Sequence, residues 1–206
     1  MPISATFACI NIPITTMQKV YILLFNGFSD WEIAFATPEI AKSNSCQLIY
    51  VSSNGEPVVS MGGMMVAPHT SIQKVDAADV DLLILPGGTA WERGENTFAD
   101  SLVDAVKANH KPVAAICAAT AYLAQRGYLN ATAHTSNALL YLKAVVPSYT
   151  GDQHYVDSLA VTGNGIITAN GIAPIEFARE IFRMLSLFSS ADLERWYQLF
   201  KNGVWS

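Results

Sequence analysis

The sequence predicts an α/β protein with a mostly parallel central sheet, helices on its faces and a cysteine at a strand-to-helix turn. Three observations predict it. From residue 19 onward, apolar β-type runs alternate with amphipathic stretches, as in parallel sheets joined by crossover helices. The runs are continuous rather than alternating, as expected of strands covered on both faces. Finally, residues 26–32, 86–88 and Cys117 follow three such runs, and open parallel sheets bind ligands beyond the carboxyl ends of their strands.

The elements follow in order. Residues 19–25 form the first apolar run, and residues 31–42 read as a helix with Ile33, Ala36, Thr37 and Ile40 on one stripe, bent near Pro38. A strand over 47–52 precedes a hairpin over 58–66, with Gly62-Gly63 at its centre. Residues 81–86 make a third buried strand ending in Pro86-Gly87-Gly88. A helix over 97–109 leads to a fourth strand over 112–116, which runs straight into a helix over 118–125 closed by Gly127. A helix near 138–144, strands near 158–161 and 165–169, and a helix over 175–188 complete the unit. Ser190 is placed to cap a last helix over 193–202 carrying Trp196, Tyr197 and Phe200.

Composition bounds the function. The chain has 206 residues, half of them hydrophobic and 14% charged, the profile of one well-buried domain. A net charge of −5 without a basic stripe argues against nucleic acid. No apolar run is long enough to span a bilayer, and no basic residue precedes the apolar part of the N-terminus as in a secretory signal. Three cysteines, Cys9, Cys46 and Cys117, are too few for a disulfide framework and point to the cytoplasm. Residues 1–18 lack a clear period and are expected to be an extension, with Met17 as an alternative start. The histidines and cysteines show no metal-ligand spacing.

Ala114-Ala115-Ile116-Cys117-Ala118-Ala119 sets a cysteine where a strand must turn sharply into a helix, and the small neighbours suit such an elbow. A helix N-terminus favours an anion, so a lowered thiol pKa is expected. The bland alternative is a buried core cysteine. Gly87, Gly88 and the N–H of Ala118 are candidates for holding an oxyanion, although glycine pairs also make plain turns. Ser29-Asp30-Trp31-Glu32 fits a capping box, which explains Glu32 without chemistry; the sharper reading turns Glu32 towards Cys117 as a proton carrier. His134 lies beyond one further helix and is a candidate partner for the cysteine, weighed against a structural role.

The segments Phe25-Asn26-Gly27-Phe28-Ser29-Asp30-Trp31-Glu32, Leu85-Pro86-Gly87-Gly88, Ala115-Ile116-Cys117-Ala118 and residues 166–177 (IITANGIAPIEF) resemble the ThiJ/PfpI family, within the class I glutamine amidotransferase-like superfamily. The likeness runs in order from Lys19 to about Leu187. It implies a flavodoxin-like three-layer sandwich, a homodimer, and a nucleophile-elbow cysteine that needs no cofactor. It also implies that Glu32 hydrogen-bonds to Cys117, that Gly88 and Ala118 supply oxyanion amides, and that His134 matches the histidine of members with glyoxalase activity. The family includes cofactor-free glyoxalases, proposed deglycases, isonitrile hydratases, proteases and stress proteins, and fold does not choose among them.

Departures narrow the choice. Ala118 stands where the protease branch has histidine, and there is no late His-x-Glu pair of a glutamine amidotransferase. Glu32 and Ala118 also fit the aspartate and threonine of isonitrile hydratases poorly. The preferred expectation is an enzyme acting on small reactive carbonyls such as methylglyoxal. Its competitors are a redox-sensing stress protein working through Cys117 oxidation and an amide or nitrile hydrolase. His134 discriminates between the first two, since only carbonyl chemistry needs it.

Overall fold

A computed structural model of the protein describes residues 17–205. The expected extension at 1–18 lies outside the described residues except for its last two, and Gln18 already opens the first strand. Seven strands form one sheet: β1 (Gln18–Leu23), β2 (Cys46–Ser52), β5 (Thr70–Ser71), β6 (Leu82–Leu85), β7 (Val113–Ile116), β8 (Ala160–Gly163) and β9 (Ile166–Ala169). Their order is β5-β2-β1-β6-β7-β9-β8. Every pairing is parallel except β8 with β9, so the mostly parallel sheet expected from the continuous apolar runs is present. β6 and β7 are wholly buried at its centre. There, unbroken apolar sequence is the only kind that leaves no polar side chain unpaired.

The hairpin expected over 58–66 consists of β3 (Val58–Val59) and β4 (Met65–Val66), paired antiparallel beside the main sheet. The strands expected near 158–161 and 165–169 form a second hairpin, shifted by two residues in the first case. Asn164 and Gly165 both have positive φ at its turn, as the favoured two-residue hairpin turn requires. The short strand β5 was not expected: two polar residues carry no period, and only pairing with Val51 and Ser52 makes Thr70 and Ser71 a strand.

Three helical expectations need correction. The single helix over 31–42 is two, α1 (Asp30–Ile33) and α2 (Ala36–Lys42). The break is at Ala34–Phe35, not Pro38, which sits in the first turn of α2, where its missing N–H costs nothing. The capping box does not form: Ser29 makes no side-chain cap bond, because Glu32 is used elsewhere. At the last helix, α7 (Ser190–Asn202), the cap is Ser189 rather than Ser190, its hydroxyl accepting from the Asp192 N–H at 3.1 Å.

The remaining helices are α3 (Asp100–Ala108), α4 (Ala118–Gln125), α5 (Leu139–Val145) and α6 (Pro174–Leu185). α7 docks on α6: Trp196 is buried edge-on against Phe182 at 4.8 Å, and Tyr197 and Lys201 both reach Glu176 at 2.8 Å. Among the described residues no helix is long and apolar enough to cross a membrane.

Candidate active site

Cys117 joins the end of β7 to the start of α4 at φ 58°, ψ −128°. A non-glycine residue in that region stores about 1–3 kcal/mol of strain, which the surroundings must hold. Here the Cys117 N–H donates to Ala169 O at 3.0 Å, and the Cys117 carbonyl accepts from Thr120 N at 3.1 Å and Thr120 Oγ1 at 2.6 Å. Backbone forms the walls on two sides of the sulfur. A Cβ on Gly87 would lie 2.7 Å from Cys117 Cβ and 2.5 Å from Glu32 Oε2, and one on Gly171 would lie 2.8 Å from Cys117 Sγ. These two glycines are required for close approach, whatever their φ.

Glu32 is buried on α1 and aimed across the sheet end. Its Oε2 accepts from the Gly87 N–H at 2.6 Å, and Ser29 N donates to Gly87 O at 3.0 Å, so the two strand-end segments are pinned together. Oε1 is buried with no hydrogen-bond partner, and the carboxylate stands close enough to the sulfur for each group to shift the other's titration. Burial, only partly offset by the Gly87 N–H and the neighbouring Cys117 and Ser29 side chains, pushes the Glu32 carboxyl up to about 7.

The lowered thiol pKa expected from the helix N-terminus is overturned. Burial and the Glu32 charge push Cys117 up to about 11, against the Asn137 amide and the Ala118 N–H, which favour the thiolate. The magnitudes explain the outcome: a helix terminus is worth about 0.3–1 kcal/mol, whereas a like charge at contact distance is worth on the order of 4 kcal/mol at an effective dielectric of 20. The resting pair is therefore a thiol facing a carboxyl that titrates near neutrality.

The expected Cys117–His134 pair is not formed. His134 is fully buried; its Nδ1 meets Thr132 O at 2.7 Å and its Nε2 meets Tyr149 Oη at 2.6 Å. A carbonyl only accepts, so Nδ1 carries the proton and Nε2 accepts from the tyrosine. Burial lowers the His134 pKa, leaving a neutral ring with both nitrogens engaged. Asn137 takes the place beside the sulfur, its Nδ2 lying 3.5 Å from Sγ. Gly171 N donates to Asn137 Oδ1 at 2.9 Å, which fixes the amide with its NH2 towards the cysteine. Sequence reasoning missed Asn137 because asparagine before a helix reads as a turn; the signal was its place in Thr135-Ser136-Asn137, between an extended segment and α5.

The glycine pair divides its roles. The Gly87 N–H is committed to Glu32 and is not an oxyanion donor, a correction to its expected part. Gly88 has φ 144°, and a Cβ there would strike Gly27 O at 2.7 Å. Among the described residues the N–H groups of Gly88 and Ala118 donate to no oxygen, and the Ala118 N–H favours a negatively charged sulfur. Trp91 braces this turn, its Nε1–H donating to Pro86 O at 2.8 Å and its ring packing on Phe25 and Tyr122.

An elbow cysteine, a buried glutamate and a glycine turn at adjacent strand ends invite comparison with known proteins. Residues 18–184 match the model of the DJ-1/PfpI family. The chain belongs to that family. A Bacillus subtilis DJ-1/PfpI relative named an uncharacterized protease, YoaZ, is 37% identical over 89% of this chain and 91% of its own length. The crystal structure of a DJ-1 superfamily protein from Agrobacterium tumefaciens superposes with a TM-score of 0.83 at 39% identity, covering 91% of this chain and 99% of that one. A more distant relative, a deglycase of Pyrococcus horikoshii, is 30% identical over 58% of this chain and 72% of its own length. The resemblance to ThiJ/PfpI proteins seen in the sequence is thereby confirmed, with its parallel sheet.

Proposed function

We propose that the protein is a cysteine-dependent enzyme that converts small reactive carbonyls, methylglyoxal among them, to hydroxy acids without a cofactor. The observation that carries this reading is the buried Glu32 carboxyl, pushed up to about 7 and set against the same Gly87 backbone as Cys117. A proton carrier titrating near the working pH is the most effective kind. The relative named a deglycase supports carbonyl-directed chemistry. Peptide hydrolysis, which the name of the Bacillus relative would suggest, is set aside because no imidazole is bonded to the sulfur.

The steps use only these groups. As Cys117 sulfur bonds to the aldehyde carbon, its proton passes to the Glu32 carboxylate and the new alkoxide is held by the N–H groups of Gly88 and Ala118. Glu32 returns that proton to the alkoxide, giving a neutral hemithioacetal. It next removes the hydrogen from the former aldehyde carbon and delivers it to the neighbouring carbonyl oxygen, forming an enediol, then takes the hydroxyl proton of the former aldehyde carbon and passes it to the adjacent carbon. The former aldehyde carbon is now an oxidised thioester and its neighbour a reduced alcohol, so no outside oxidant is needed. Water then cleaves the thioester to hydroxy acid and thiol. Glu32 carries every proton alone, since His134 is engaged elsewhere.

A second reading, a redox sensor acting through Cys117 oxidation, is favoured by one observation: the other groups at the sulfur, Asn137 Nδ2 and Ala118 N–H, are donors suited to an oxidised sulfur. The deciding test is hydroxy-acid formation from methylglyoxal without glutathione, in wild type and Cys117→Ser. Turnover in wild type that disappears in the variant is expected. No turnover in wild type, with Cys117 readily oxidised by peroxide, moves the assignment to the sensor. The same reading includes a homodimer, as the family likeness implies.

A further inference from the structure

Two side chains outside the proposed mechanism bridge the segments that flank Cys117. Tyr141, half-buried on α5, donates its phenolic O–H to Glu92 Oε1 at 2.7 Å. Tyr141 lies four residues beyond Asn137, whose amide is at the sulfur. Glu92 lies four residues beyond Gly88, in the turn where Trp91 N donates to Gly88 O at 3.2 Å. One hydrogen bond thus ties the segment carrying the oxyanion amide to the segment carrying the sulfur's amide neighbour. Burial and the Glu92 carboxylate raise the phenol's pKa, with a smaller part from Cys117 nearby.

The charges around this bridge are one-sided. Glu32 is at the sulfur and Glu92 at the exposed rim. Arg93, next in sequence, is held by Glu95 through bonds of 2.7 and 2.8 Å. Arg126 is engaged by Asp100 and Asp104. Among the described residues no lysine or arginine bonds to Cys117, Glu32, Asn137 or Tyr141, and Glu92 accepts only from the tyrosine. Ile172, next to the wall residue Gly171, is 80% exposed and adds an apolar lip.

We infer that the Tyr141–Glu92 pair is the rim of the access to Cys117 and selects neutral or cationic small electrophiles over anionic ones. A carboxylate-bearing aldehyde such as glyoxylate meets two carboxyl groups and no cation there, whereas methylglyoxal meets only their dipoles and the Ile172 side chain. This assignment deepens the carbonyl reading by naming its substrate class, but it concerns access to the sulfur and can be tested without turnover.

The test compares alkylation of Cys117 by neutral iodoacetamide and anionic iodoacetate at pH 8 and low salt, read by mass-resolved peptide labelling. In wild type the preference for iodoacetamide should exceed that of a small free thiol several-fold. Glu92→Gln should narrow it by about three- to tenfold, the range expected of one partly screened charge. Tyr141→Phe should speed both reagents while keeping most of the preference, since the rim opens but Glu92 stays. An unchanged reagent ratio in Glu92→Gln overturns the inference, as does a Cys117 that labels in none of the three proteins. Loss of methylglyoxal turnover with the charge preference intact would sink the proposed reaction and leave the rim standing.

Discussion

At the scale of single residues the site turns on how Glu32 and Cys117 share protons. If Glu32 is the base, turnover rises with pH through about 7, where its carboxyl ionises, and stays level until the thiol itself ionises near 11. Glu32→Gln should cut kcat/KM by about a hundredfold or more, the usual worth of a general base. The same substitution removes the charge that holds the thiol up, so iodoacetamide labelling of Cys117 should begin at lower pH. Opposite signs in the two assays are the expected outcome; slower labelling in the variant would mean that Glu32 favours the thiolate. Glu32 also costs stability. A carboxyl whose folded pKa is raised from 4.5 to about 7 contributes fully when protonated, below about 4.5, and that contribution is lost as pH climbs through 7. The loss is about 3 kcal/mol. Thermal melts of wild type should therefore fall between pH 5 and pH 8 relative to Glu32→Gln, by several degrees. Parallel pH dependence of the two proteins would place the charge in a better-solvated site.

Elements act here mainly as brackets for backbone. β7 delivers Cys117, the turn after β6 supplies Gly87 and Gly88, and the turn after β9 supplies Gly171, so three strand ends meet at one sulfur. Gly171→Ala tests this directly. Its φ is not in the left-handed region, so the substitution is not strained by conformation, yet its Cβ would lie 2.8 Å from Sγ. Turnover and Cys117 labelling should fall at least tenfold while the melting temperature shifts by only a few degrees, because overpacking costs about 1–3 kcal/mol. Activity equal to wild type would show that the wall moves freely. The element level is also where sequence reading was least accurate. Helix α1 is a single turn with two acidic residues, too short to show a period, so it fused with α2 in the pattern; β5 is visible only through its partner.

At the scale of the whole molecule the antiparallel hairpin β3–β4 stands apart from the sheet. Met61, Met64 and Met65 are 47%, 55% and 76% exposed on or beside it. Exposed apolar patches of this kind mark contact surfaces. The hairpin is tied to the segment that leads into Glu32: Gly27 N donates to Val59 O and Met61 N to Phe28 O, each at 2.8 Å, and Asp30 accepts from Gly62 N at 2.9 Å. If the proposed homodimer uses this face, Met65→Glu should lower the sedimentation coefficient to the monomer value and weaken turnover through the Asp30 segment. A dimer that survives the substitution would place the interface on another face.

The sequence by itself determined the parallel sheet, the elbow and the family. Those rest on local signals: unbroken apolar runs, small residues around a cysteine, and glycines at a strand end. It also brought out Glu32 and Cys117 as partners, through the family likeness rather than through spacing, which fitted a helix cap equally well. Only the tertiary structure decided that Glu32 bonds to Gly87 beside the cysteine, that His134 is spent on Thr132 and Tyr149, and that Asn137 stands at the sulfur. Hydrogen-bond partners and burial are set by elements far apart in the chain, and a thiol's pKa is the balance of those surroundings. For that reason the helix N-terminus, legible in the sequence, pointed one way for Cys117, while burial and the carboxylate beside it decided the other.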